Sequence, residues 1–349
     1  EGPRAFYTGA IAQAICAEMK AHDGFVSAAD LAGYQVRVQS PLTGRYRSLD
    51  VCFSPGATGG ITALEMLNTL SAFPSSEVGY TTVGGLHLRA EAVRYAFNDR
   101  LKYLGDPAKI KAPWQAMASV EYSAAVAACI HPRGPRSTKA APDLWRFQIA
   151  GGRAVHPAAA AGPSGDCTTH IGVVDRQRNM VSLTHTAVSL FGSRVVVPDT
   201  GILLSNGMLW FDPEPGKPNS IAPGKRALVN MVPALAFRRG EPYLTLGAPG
   251  GRKIVSAIPQ VLSNLADMRL RPQQAIEAPR LHTEGGDLWV DDRVGAKTLA
   301  ALARMGHPVV ARHEDLSTLF FSRPVAIRVT KKGLEAGIDH LRAAAAAGY

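Results

Sequence analysis

The chain has 349 residues, of which 46% are hydrophobic and 19% charged; this suits a protein with a sizeable buried core and is too polar for a membrane-embedded one. The length allows two average domains or one large layered α/β unit. The formal net charge of +10 comes from Lys and Arg scattered singly or in pairs such as Arg238-Arg239 and Lys331-Lys332, so it reads as solubility and mild attraction for anions, with no nucleic-acid partner.

Ile11, Ala14, Ile15 and Met19 recur at helical spacing over residues 9–20, and Ser27-Ala28-Ala29-Asp30 reads as the capped start of a short second helix. Both are expected to face the core. Residues 46–53 read as one strand, and the Gly-rich stretch 54–60 then turns the chain into a helix carrying Ile61, Leu64, Leu67 and Leu70. That turn matches neither the dinucleotide nor the P-loop spacing, so close backbone packing is expected there. From Ala140 to Gly165 the sequence is rich in Ala, Pro and Gly without amphipathic period, which is a linker composition. Strand alternation begins where the linker ends: residues 170–175, a polar turn Arg176-Gln177-Arg178-Asn179, then residues 180–186. A second hairpin is predicted from residues 234–237 and 243–246. After Gly251, Ile254, Ala257, Ile258, Val261, Leu262 and Leu265 mark a core-facing helix, in which Pro259 is expected to cause a kink or a late start. Strands followed by core-facing helices indicate a layered α/β fold. No apolar run reaches the about 18 residues of a membrane span, so no membrane partner is expected.

A threonine hydroxyl needs a base beside it to act as a nucleophile, and a terminal threonine carries one in its own α-amine. An internal threonine becomes terminal if its hydroxyl attacks the preceding carbonyl and water hydrolyses the resulting ester. That requires a loose segment upstream and a rigid strand downstream, which Gly165-Asp166-Cys167-Thr168-Thr169-His170 offers. Taken alone, Thr-Thr at a strand start is a weak signal, better explained by β propensity. The Gly247-Ala248-Pro249-Gly250-Gly251 turn before a helix is suited to aim backbone N–H groups at an oxyanion, or serves only as a tight turn. Thr184-His185-Thr186 lies across the hairpin, where the Thr186 hydroxyl can orient Thr168. His170 and His185 sit in alternating strands and read as structural. The four cysteines, Cys16, Cys52, Cys129 and Cys167, include no CxxC pair and no His at zinc-ligand spacing. The chemistry calls for no cofactor and no metal.

In this order the motifs resemble the gamma-glutamyltransferase family of the N-terminal nucleophile hydrolase superfamily. They include Phe6-Tyr7-Thr8-Gly9, Asp30-Leu31-Ala32-Gly33-Tyr34, Ala96-Phe97-Asn98-Asp99-Arg100 with Tyr103-Leu104-Gly105-Asp106-Pro107, Thr168-Thr169-His170, Gly201-Ile202-Leu203-Leu204, Pro223-Gly224-Lys225-Arg226, Pro249-Gly250-Gly251 and Ala278-Pro279-Arg280. The resemblance implies a four-layer αββα fold. It implies self-cleavage between Cys167 and Thr168, with residues 1–167 ending the large subunit and residues 168–349 forming the small one, the two making one domain. Thr168 would be the nucleophile, Thr186 its supporter, and Gly250 and Gly251 the oxyanion donors. The expected partners are a small-molecule amide substrate and water or an amine acceptor.

The acyl pocket departs from the family pattern. Val188 stands where the family has Asn, Gly207 and Trp210 stand where it has Gln and Asp, and Val229 and Asn230 replace two adjacent serines. Loss of the carboxylate at Trp210 removes the partner of an ammonium group, so the expectation is an amidohydrolase or acyltransferase with a more apolar, non-glutamyl pocket. The alternatives are a true γ-glutamyl hydrolase or transpeptidase, with Asn206 and Asn230 supplying polar contacts, and a catalytically inactive relative that never processes. The chain looks like the family without the first part of its large subunit. The compartment, periplasmic or cytoplasmic, is left open.

Overall fold

The computed structural model of the protein describes residues 2–138, 141–148, 167–341 and 343–348. Its frame is a six-stranded antiparallel sheet in the order β1-β2-β7-β8-β12-β13, built from β1 (Leu42–Tyr46), β2 (Leu49–Phe53), β7 (Ala234–Arg238), β8 (Glu241–Gly247), β12 (Val325–Thr330) and β13 (Gly333–Ile338). Between β2 and β7 the chain forms β3 (Cys167–Val174), β4 (Met180–Val188) and a short pair, β5 (Val196–Val197) with β6 (Ile202–Leu203). A three-stranded sheet near the C-terminus joins β9 (Leu281–His282), β10 (Leu288–Asp291) and β11 (Val309–Arg312). The helices are α1 (Pro3–Tyr7), α2 (Ala10–Ala21), α3 (Ala28–Gly33), α4 (Gly60–Ser71), α5 (Val83–Tyr103), α6 (Trp114–Ala118), α7 (Val120–Cys129), α8 (Lys253–Ala266), α9 (Pro272–Glu277) and α10 (Ala296–Arg304). None of the described helices is long and apolar enough to cross a membrane.

Period-two alternation decides what each side of the main sheet meets. Leu244 and Leu246 of β8 point into a core filled by Leu64 and Leu67 of α4, Phe97 of α5 and Ile254, Ile258 and Val261 of α8. Thr245, between the two leucines, points the other way and donates its hydroxyl to the Val181 carbonyl of β4 at 2.9 Å. The β3–β4 hairpin therefore stacks on the sheet face opposite the helices. Ser182 fastens it further, donating to Leu246 O at 3.0 Å and accepting from Ala234 N at 3.1 Å. Helices, main sheet and hairpin make three successive layers. The far face of the hairpin carries Ile171, Val173, Val181 and Leu183, each about half exposed, and no element among the described residues covers it.

Several expectations change in detail. Residues 46–53 are a hairpin, β1 with β2, because Arg47 takes a left-handed φ of 55° and is held there by Asp267 and by the carbonyls of Leu70, Ser71 and Phe73. The Ser27 start of α3 is a full capping box with Asp30, but α3 buries none of its residues and is not core-facing; α2 buries only Ala12 and Ile15. Helix α8 begins before Pro259 and runs through it, so the late start is ruled out. The 54–60 turn is a packing device: a Cβ on Gly59 would lie 2.5 Å from Val232 Cγ2, and one on Gly60 2.5 Å from Ser54 O. Most of the expected linker lies outside the described residues. Within it, residues 144–147 form one 3-10 turn that buries Leu144.

Beneath α4, Glu65 is fully buried and faces Asp99, whose carboxylate accepts from Tyr122. Burial, then the neighbouring carboxylate, push the Glu65 carboxyl well above its usual range. The fold therefore keeps a proton that the unfolded chain loses above about pH 4.3, and stability falls as pH rises from there toward the folded value. Glu65→Gln is expected to unfold at a higher denaturant midpoint than the wild type at pH 8, with a smaller difference at pH 5. A difference that does not change with pH would contradict this assignment.

Candidate active site

The hairpin register places Thr168 directly opposite Thr186, with an irregularity between Cys167 and Thr168. Opposed Cβ atoms are about 5 Å apart, so two short hydroxyls can meet, and Thr168 Oγ1 lies 3.1 Å from Thr186 Oγ1. Thr186 Oγ1 accepts that bond, accepts a second from Val188 N at 2.8 Å, and donates to the carbonyl oxygen of Cys167 at 2.8 Å. One side chain thus holds the Thr168 hydroxyl and the carbonyl that precedes Thr168. The Val188 bond needs the strand to curl at its end, and Val188 sits at φ 76° while 97% buried. A β-branched residue in left-handed space is strained by about 1–3 kcal/mol.

Two residues along β3 and on the same face, the His170 ring lies against Gly247. A Cβ there would stand 2.0 Å from His170 Cε1, so the missing side chain is what admits the imidazole. His170 Nδ1 is 2.8 Å from Thr184 Oγ1, and burial pushes the ring down to about 4. It is neutral at pH 7 and a weak base, consistent with a structural role. His185 is on the exposed outer face of the hairpin.

From Gly247 the chain enters the proposed oxyanion turn. The Pro249 carbonyl accepts from Ser322 Oγ at 2.7 Å and from Arg323 N at 3.0 Å, two anchors that no local sequence signal announces. Gly250 has φ 136° and Gly251 φ 57°. Helix α8 then starts without a side-chain cap bond from its N-cap Arg252, while Ile254 N and Val255 N donate to Gly251 O at 3.2 Å and Arg252 O at 3.1 Å.

The expected pocket residues are drawn together by backbone links. Asn206 N bonds Ala187 O at 3.0 Å, bringing the Gly207–Trp210 turn beside Val188. Asn219 spans from the Trp210 carbonyl (2.6 Å) to the Leu228 N–H (2.8 Å), setting Trp210 near Val229. The polar candidates are already engaged: Asn206 Nδ2 bonds Ser189 Oγ at 3.2 Å, and Asn230 Oδ1 accepts from the buried Arg100, which also holds Val229 O.

One group among the described residues has metal-ligand composition: His87, Glu91 and His307. Its atoms satisfy each other. His87 Nε2 donates to His131 O at 3.0 Å, its Nδ1 faces His307 Nε2 at 2.8 Å, and Arg94 takes both Glu91 oxygens. The cluster ties α5 to the segment after α10.

A family profile described as Gamma-glutamyltranspeptidase matches residues 1–349. The chain belongs to that family. Among curated gamma-glutamyltranspeptidase relatives, it is 35% identical over 311 residues to the Acylase ACY 1 proenzyme of Pseudomonas sp. (strain SE83), covering 89% of this chain and 52% of that protein. It is 33% identical over 330 residues to the Glutathione hydrolase proenzyme of Escherichia coli (strain K12), covering 91% of this chain and 54% of that protein. Among solved structures, a cephalosporin acylase from Bacillus halodurans superposes with a TM-score of 0.81 at 27% identity, over 99% of this chain and 60% of that one. The fold is thus that of the N-terminal nucleophile hydrolases, and the chain spans about half the length of these curated relatives.

Gly250→Ala is expected to destabilise the chain by more than about 1 kcal/mol, since its Cβ would stand 2.6 Å from Ser322 Cα at a φ that disfavours any side chain. An unchanged melting temperature would contradict the described turn.

Proposed function

We propose that the protein is a self-processing amidohydrolase or acyltransferase that forms an acyl-enzyme on Thr168. The observation that carries this reading is the Thr186 hydroxyl, bonded at once to Thr168 Oγ1 and to Cys167 O. Thr168 Oγ attacks the Cys167 carbonyl carbon, the C–N bond breaks as the hydroxyl proton passes to the Thr168 nitrogen, and the chain shifts from amide to ester. Thr186 stabilises the carbonyl oxygen during the attack. Water then hydrolyses the ester, leaving a Cys167 carboxylate and a free amine on Thr168.

In the processed protein that amine takes the hydroxyl proton as Thr168 Oγ attacks the substrate amide, and the Gly250 and Gly251 N–H groups receive the oxyanion. The leaving amine departs with the proton. Water or an amine acceptor then releases the acyl group. Before cleavage the Thr168 nitrogen is a peptide amide and no base of this kind exists, so processing must precede turnover.

For the acyl group, the favoured reading is one without a free α-amine. Val188, Trp210 and Val229 offer no carboxylate to an ammonium, and Asn206 Nδ2 and Asn230 Oδ1 are taken by Ser189 and Arg100. The relatives named as acylases support this. The relative named glutathione hydrolase keeps a γ-glutamyl donor as the second reading.

Expression of the complete reading frame is expected to give two fragments, the smaller starting at Thr168, and Thr168→Ala is expected to remain a single inactive chain. An intact wild-type chain, or a new terminus elsewhere, would refute the mechanism in favour of a non-processing relative. With processed enzyme, glutaryl anilide is expected to be hydrolysed at a higher kcat/KM than γ-glutamyl anilide. The reverse order, tenfold or about 1.4 kcal/mol, would establish the γ-glutamyl reading.

A further inference from the structure

We propose that Glu284 is a positioning residue for the Gly250–Gly251 turn, acting through Arg252 on one side and through His282 and Ser256 on the other. This rests on the reading of those two glycines as oxyanion donors. A backbone N–H can be aimed only by moving the backbone that carries it, so whatever fixes this turn sets the geometry of the hole. Below the turn, Ser322 and Arg323 hold the Pro249 carbonyl. Above it, the next residue is Arg252, whose Nη1 meets Glu284 Oε2 at 2.9 Å with both side chains about one-fifth exposed. The other Glu284 oxygen, Oε1, is 3.3 Å from His282 Nε2, and His282 Nδ1 is 2.9 Å from Ser256 Oγ in the first turn of α8.

Ser256 Oγ also reaches Lys253 O at 3.2 Å, so the His282 ring links the first turn of α8 to the Glu284 carboxylate through its two nitrogens. Ser256 is 1% exposed, so no substrate reaches it and this link holds α8 in place. Gln260 keeps the platform rigid: its Nε2 donates to Leu281 O at 2.9 Å and its Oε1 accepts from Leu281 N at 3.1 Å. Glu284 also balances a second cation. The fully buried Arg100, pushed down to about 9 by burial and then by repulsion from Arg252, is drawn back by Glu284. Arg100 holds Thr58 O, Val229 O and Asn230 Oδ1. One carboxylate thus balances the guanidinium beside the oxyanion turn and the one under the pocket wall. Burial opposes its ionisation, but His282 and Arg252 outweigh burial and hold it below the usual range.

The test uses fully processed protein from the complete reading frame, with active sites counted by the burst of an activated ester and the label located by mass spectrometry. Glu284→Gln is expected to lower kcat about 10- to 100-fold, the scale of a small misplacement of a catalytic group, with KM nearly unchanged when assayed well below its melting temperature, which itself falls because Arg252 and Arg100 lose their carboxylate. Glu284→Asp is expected to recover part of the loss. The exchange of Arg252→Glu with Glu284→Arg is expected to exceed both single variants in kcat. Wild-type kcat in Glu284→Gln would overturn the inference, as would a parallel loss of kcat and stability that Glu284→Asp does not relieve. If the wild type shows no label on Thr168, the functional reading itself fails and this inference with it.

Discussion

Everything proposed for this protein depends on one register: Thr168 opposite Thr186 in an antiparallel pair. A slip of one residue would send both hydroxyls to the outer face of the hairpin and bring Thr169 and His185 inward. Side-chain bonds from the hairpin to the main sheet prevent this. Ser182 is pinned between Leu246 O and Ala234 N, Thr245 reaches Val181 O, and His170 fills the space above Gly247. These contacts reach β7 and β8, and β8 leads directly into the Gly250–Gly251 turn. Thr168 and the Gly250–Gly251 turn thus share a reference frame, because the strand under the hairpin continues into that turn.

The parts legible in the sequence are those with local causes. The Ser27–Asp30 capping box, the apolar stripe of α8 and the two central hairpins follow from propensity and period. The Arg239-Gly240 turn of the β7–β8 hairpin takes positive φ at both residues, which suits a two-residue loop. That Thr186 lies across the hairpin from Thr168 was legible, but the exact register was not: the four-residue turn read from the sequence would set Thr168 against Ala187, whereas Val174 opposes Met180 and a five-residue loop brings Thr168 to Thr186. What escaped local reading was caused at a distance. Arg47 splits an expected strand because carbonyls some 25 residues away and Asp267 hold its side chain. Ser322 meets Pro249, and Glu284 meets Arg252, across separations that no spacing rule spans. The exposure of α3 is a matter of which neighbours the chain supplies, and periodicity carries no information about that.

The proposed pocket residues differ from the expected family pattern in charge and also in backbone energy. Asn tolerates left-handed φ because its short polar side chain bonds locally, whereas Val188 keeps the same kind of bend without that relief. The curl persists because Val188 N bonds Thr186 and the side chain is buried. Asn230, the one polar residue at the former serine pair, turns its oxygen to Arg100 and so stiffens the pocket wall. Arg100 is itself buried among carbonyls, a substitute for hydration that keeps its charge tolerable.

The outer face of the β3–β4 hairpin affects how the chain behaves in solution. Ile171, Val173, Val181 and Leu183 form an apolar stripe on a two-stranded ribbon, and among the described residues β3 and β4 pair only with each other. Such a ribbon exposes both a sticky surface and unpaired backbone, the combination that templates strand addition between molecules. The Thr168–Thr186 register and an apolar stripe are therefore two sides of the same eight-residue strand.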